Sequence, residues 1–148
     1  MKVYNGRYEE KKISLDLDII DTADYITDNI LIITNSSTHN VEFWNIIEDE
    51  MKYSIGPSIK SKFIFDSDII YGISVTFKGT YLIAYNIKEN TATNRKISNR
   101  QYNVTSLLLS TNKNFLFIAA GAKLLRLDLK NLDVKDLTDP EVNRLIIR

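Results

Sequence analysis

The chain holds one imidazole, no thiol and five scattered glycines, and these set a narrow limit on the chemistry its side chains can do. His39 stands close to Ser36 and Ser37, so a serine nucleophile with a histidine base is the first arrangement to test. Such a serine is raised by a strand–Gly-x-Ser-x-Gly–helix context. The segment at 35–40, NSSTHN, is instead a run of turn formers and predicts a hairpin loop, with His39 exposed on it. Asp16, Asp18, Asp21 and Asp24 raise the question of calcium. A calcium loop also needs a glycine at its bend and a glutamate at its end, and neither is present. Asp16 and Asp18 alternate with Leu15 and Leu17, the pattern of a strand's wet face. Asp66 and Asp68 read as a turn entering a strand. Without cysteine, and with a single histidine, a His/Cys metal centre cannot be assembled. No glycine-rich loop opens a helix, so a phosphate cradle is not expected. The expectation is a chain with no catalytic residue, no metal and no cofactor: not an enzyme.

Surface chemistry offers more. Arg95, Lys96 and Arg100 form the densest basic cluster, with Tyr102 nearby. A nucleic-acid surface needs a broader basic stripe, and 19 basic against 19 acidic residues give no net charge, so a nucleic-acid partner is not expected. The charges are unevenly placed. Residues 1–74 carry 7 basic and 13 acidic groups, and residues 75–148 carry 12 and 6. One reading is a dipolar module whose acidic side meets a basic neighbour, including its own copy; the other is ordinary scatter. Trp44 is either an interface anchor or a core residue. Sequons at Asn35 and Asn103 matter only in a secreted protein, and the start, MKVYNGRYEEKK, lacks the apolar core of a signal peptide. No apolar run reaches the ~18–20 residues that span a bilayer, so a membrane partner is not expected, and the expected location is intracellular, cytoplasmic or nuclear.

The elements that position these residues come from a repeat. VEFWNI at 41–46, LIAYNI at 82–87 and LLRLDL at 124–129 align on Trp44, Tyr85 and Leu127, each followed by Asn45, Asn86 or Asp128 and then by Ile46, Ile87 or Leu129. Tyr4-Asn5 is a weaker copy. An apolar run precedes each segment and a polar turn follows it. The segments are short, rich in Ile, Val, Phe and Tyr, and bounded by turn formers, so they read as strands. In 125–129 apolar and charged residues alternate, and 115–120 is apolar throughout, as in a strand covered on both faces. Near the end, Asp139-Pro140-Glu141 could cap a short helix over 142–147, or 144–147 could be a strand.

About 41 residues and four strands per repeat is the size of a propeller blade. The expected blades cover 13–55, 62–97 and 103–137, with partial pieces at 3–12 and 144–147, in one domain over 1–148. The first blade's strands are expected at 13–20, 30–34, 41–46 and 51–55. Trp44-Asn45, Tyr85-Asn86 and Leu127-Asp128 resemble degenerate forms of the Trp-Asp dipeptide of WD40-type β-propellers, and the segment 107–120 is similar to the first hairpin of such a blade. The Gly-His dipeptide of that family does not occur. The resemblance implies an all-β, propeller-like array of about three four-stranded blades; three repeats also suit a β-trefoil, which would imply a carbohydrate- or ligand-binding module. About three blades fall short of the four to eight that close a ring. The propeller reading therefore implies a non-catalytic scaffold that completes its ring with other protein subunits or a second copy of itself.

Overall fold

The computed structural model describes residues 29–140 in full, together with the backbones of three earlier strands, Lys2–Tyr4, Glu10–Lys12 and Ile20–Tyr25. Every element among the described residues is a β-strand. The chain divides into two compact units, Met1–Ser58 and Ile59–Arg148.

In the first unit β1 (Lys2–Tyr4) pairs with β2 (Glu10–Lys12). A four-stranded antiparallel sheet then follows chain order: β3 (Ile20–Tyr25), β4 (Ile30–Asn35), β5 (Val41–Asn45) and β6 (Glu50–Ile55). Its middle strands bury Ile30, Ile32, Ile33, Val41 and Phe43 almost completely. The first strand expected at 13–20 lies, but for Ile20, outside the described residues, and β3 covers Ile20–Tyr25. β3 pairs with β4 from Ile20 opposite Asn35 to Tyr25 opposite Leu31. The helix or strand expected beyond Pro140 lies outside the described residues.

The second unit holds two sheets of the same kind. One contains β7 (Lys60–Asp66), β8 (Ile69–Thr76), β9 (Gly79–Asn86) and β10 (Thr91–Ser98). The other contains β11 (Val104–Leu109), β12 (Phe115–Ala120), β13 (Lys123–Asp128) and β14 (Val134–Asp136). The fold is thus all-β and propeller-like, with three four-stranded antiparallel meanders. Each sheet uses only consecutive strands, which is how blades are built and leaves no support for a β-trefoil.

Within the second unit the two sheets pack face to face. Ile73, Val75 and Leu82 of one share a single apolar core with Val104, Leu116, Ile118, Leu125 and Leu127 of the other. The first strands of the two sheets, β7 and β11, lie side by side. Lys60 Nζ donates to Asn103 Oδ1 at 2.9 Å, and Lys113 pairs with Asp66 at 3.1 Å, tying the sheets together at the surface.

The repeat has a local physical basis. Trp44, Tyr85 and Leu127 pair across their sheets with Leu31, Ile70 and Leu116, so they occupy equivalent sites. The polar residue after each anchor closes the next turn. Asn45 Oδ1 accepts from the N–H groups of Ile47 and Glu48, Asn86 Oδ1 from Glu89 N–H, and Asp128 Oδ1 from Lys130 and Asn131. Four residues after each of them the chain turns left-handed, at Asp49, Asn90 and Leu132, with φ of 52°, 52° and 65°. The next residue's N–H (Ile46, Ile87, Leu129) reaches the carbonyl of Asn29, Asp68 or Asn114 just ahead of the sheet's second strand. The recurring Asn/Asp is therefore a turn cap, because only a short side-chain acceptor satisfies those amides.

Two substitutions at these turns have defined outcomes. Asn86→Ala and Asp128→Ala should each lower stability by about 1 kcal/mol in urea denaturation, the net value of such bonds. Gly79 has φ +135°, and a Cβ there would lie 2.3 Å from the Ser98 carbonyl oxygen. Gly79→Ala should cost roughly 2 kcal/mol or more, whereas Gly121→Asn, at φ +61° with nothing within 4 Å, should cost about 1 kcal/mol or less.

Candidate docking face

β12 is apolar throughout, yet the structure covers only one side of it. Leu116, Ile118 and Ala120 are buried in the core of the second unit, while Phe115, Phe117 and Ala119 point the other way and stay partly exposed. This corrects the expectation of a strand covered on both faces. The apolar content was read rightly; the second cover is not supplied by the described residues.

The register builds the open face row by row. Leu108 pairs with Phe117, Phe117 with Arg126, and Arg126 with Lys135, so these four side chains cross the sheet on one side. The neighbouring row is Ser106, Ala119 and Leu124. Leu108 is 65% exposed and Leu124 is 40% exposed. With Ser106, Leu107, Phe117 and Ala119 they line an open depression of about 370 Å³. The Arg126 guanidinium carbon lies 4.9 Å from the centroid of the Phe115 ring, a cation–π contact that holds the charge at the edge of the apolar surface. Among the described residues neither Arg126 nor Lys135 has a carboxylate partner.

The preceding sheet carries an equivalent face. Its matching positions are Ile64, Tyr71, Ile73 and Leu82, in the places of Leu108, Phe117, Ala119 and Leu124. There the face is covered: Ile73 and Leu82 belong to the shared core, with Ile64 and Tyr71 packed against it. The same surface that receives a sheet in one blade is open in the next.

The residues singled out for chemistry are not brought together. His39 is exposed in the β4–β5 loop at φ 61°, and its imidazole makes no hydrogen bond among the described residues. Asn35 of the sequon is 7% exposed; its Oδ1 accepts from the N–H groups of Ser37 and Thr38, and its amide donates to Glu42. Asn103, the other sequon residue, is exposed and accepts from Lys60. Asp66 pairs with Lys113. Asp16 and Asp18 lie outside the described residues, and Asp21 and Asp24 fall in β3. Arg95 and Lys96 are exposed on β10, and Arg100 follows it. Trp44 is partly buried, and its indole N–H donates to Glu42 at 3.0 Å. Among the described residues no three His, Asp or Glu side chains cluster to hold a metal ion. Sequence reasoning did not single out Leu108, Phe117, Leu124, Arg126 or Lys135. The signal that could have found them is the run of apolar residues at both parities of β12.

No protein-family model and no curated protein matches the sequence. Among solved structures the chain is similar to Kluyveromyces lactis Hsv2, at TM-score 0.48 and 16% identity over 79% of this chain and 36% of that one. It is also similar to that protein with loop 6CD replaced by a Gly-Ser linker, at TM-score 0.48 and 15% identity over 79% of this chain and 38% of that one. The chain spans a little over a third of the length of these structures.

Tyr71, the covered counterpart of Phe117, provides a check on the paired sheets. Burial raises its phenol above the ordinary value of 10.0, and Asp66 adds to the rise while Lys113 opposes it. A raised folded-state pKa means that the stability held by the neutral phenol is complete below the unfolded value. It is lost as pH rises through the folded value. Denaturation midpoints at neutral and alkaline pH should show this loss in the wild-type chain and a smaller one in Tyr71→Phe. An identical alkaline decline in both would show that Tyr71 is not packed between the sheets.

Proposed function

We propose that this chain is a non-catalytic protein–protein interaction module, that its repeats are degenerate WD40-type blades, and that the open face of the β11–β14 sheet is the surface by which it joins a larger assembly. The observation that carries this reading is the contrast between two equivalent faces. Ile73 and Leu82 are 0% and 5% exposed, while Leu124, in the place of Leu82, is 40% exposed. Fully burying a side chain such as leucine contributes about 1.5–3 kcal/mol. Covering Leu108, Phe117 and Leu124 together is therefore enough to matter against the ordering costs of association. A face of this kind, apolar in the centre and charged at the rim, has the anatomy of an interface.

Leu108→Glu tests the reading without touching the core, because Leu108 is largely solvated in the isolated chain. The variant should keep the wild-type far-ultraviolet circular dichroism and melting temperature. Isolated by affinity tag from its native cells, it should recover the proteins that accompany the wild-type chain at least about tenfold less well, the loss that roughly 1.4 kcal/mol produces. Equal recovery by both chains would remove the open face from the proposal.

A further inference from the structure

We propose that the occupant of the open face is a second copy of this chain, docked head to tail through the acidic β5–β6 hairpin of its first unit. This rests on the reading of the β11–β14 face as a docking surface and names what docks there.

The first argument is what the face asks of its partner. In the covered sheet the row across the strands is Ile64, Tyr71, Ala84 and Thr93, which carries no charge. In the open sheet the same row is Leu108, Phe117, Arg126 and Lys135. The sheet that covers the first face brings Leu116, Ile118, Leu125 and Leu127. A surface like that would set apolar side chains beside Arg126 and Lys135 at the rim of the face, with no carboxylate to meet either cation. The occupant must combine apolar side chains with acidic ones.

The second argument is that the chain itself displays such a surface. At the β5–β6 turn Ile47 is 59% exposed and Met51 is 45% exposed. Between them stand Glu48, Asp49 and Glu50. Lys52 contacts Glu48 at 2.5 Å and Glu50 at 2.9 Å, so two carboxylates share one ammonium and the group stays net acidic.

The third argument is the charge of the units. Residues 1–58 contain 5 basic and 11 acidic groups, and residues 59–148 contain 14 and 8, so the units carry −6 and +6. Opposite units of two copies attract, and the arrangement steers a head-to-tail encounter. A two-fold contact of open face on open face would instead set Arg126 and Lys135 against their own copies.

Sedimentation velocity on the purified full chain provides the test. The wild-type chain should associate with rising concentration, and added salt should weaken the association because the charges are at the rim. Leu108→Glu spoils the face and keeps the hairpin; the double variant Ile47→Glu with Met51→Glu spoils the hairpin and keeps the face. Each alone should be at least about tenfold weaker in self-association, with an unchanged melting temperature. An equimolar mixture should recover one contact and form a 1:1 complex, since each chain supplies the half that the other lacks. A wild-type chain that stays monomeric, while its recovery of cellular proteins still depends on Leu108, overturns the second copy and leaves the docking face standing. Association that survives in the hairpin variant overturns the head-to-tail geometry, as does a mixture that fails to form the complex.

Discussion

A β-sheet has two faces, and strands that are apolar at both parities cannot hide both within one sheet. This constraint governs the second unit. The β7–β10 sheet gives one apolar face to the β11–β14 sheet, and the two together bury Ile73, Leu116, Ile118, Leu125 and Leu127 at 0–1% exposure. The arrangement solves the problem for the facing surfaces only. Each added sheet brings a new outer face, so an array of this kind passes its unburied surface along from sheet to sheet. Among the described residues that surplus lies on the row of Leu108, Phe117, Arg126 and Lys135.

Local turn chemistry made the repeat legible. A carboxamide or carboxylate one residue after the anchor caps the following turn in all three sheets, and the cap depends on short-range geometry that survives when the neighbours change. The anchor itself tolerates Trp, Tyr or Leu because the requirement there is burial against the paired strand. Tyr85 and Leu127 meet it at 1% and 0% exposure. Trp44 stays partly exposed and ties its indole to Glu42, which also receives the Asn35 amide. Strand identity could be read in the same way from apolar runs bounded by turn formers. Strand β3, IDTADY, carries little of that signal. Only its pairing with β4, from Ile20 opposite Asn35 to Tyr25 opposite Leu31, identifies it.

The docking face was not legible, for a different reason. Alternation in Leu125, Arg126, Leu127 and Asp128 identifies a two-sided strand, but not whether the side bearing Arg126 faces water or an apolar neighbour. In the sheet Leu124 sits beside Ala119 and Arg126 beside Phe117, so that side is mixed and not simply wet. Which face receives a neighbour is a tertiary fact. It emerges only when Ile64, Tyr71, Ile73 and Leu82 are matched to Leu108, Phe117, Ala119 and Leu124.

The two cations on the open row resolve a conflict that an apolar face creates. An uncovered sheet of Leu108, Phe117 and Leu124 alone would favour any apolar surface, including misfolded chains. Arg126 spreads its guanidinium against Phe115 and so shields part of the ring while keeping its charge hydrated at the edge. Lys135, exposed on β14, adds a second charge that a purely aliphatic partner must leave unpaired. Both residues therefore weaken wrong partners more than they strengthen the right one, which is how charge creates specificity at an apolar interface. The discrimination works only if the correct partner carries carboxylates. A face protected in this way selects for an acidic, partly apolar surface, and the sequence 47–51 of this chain has that composition.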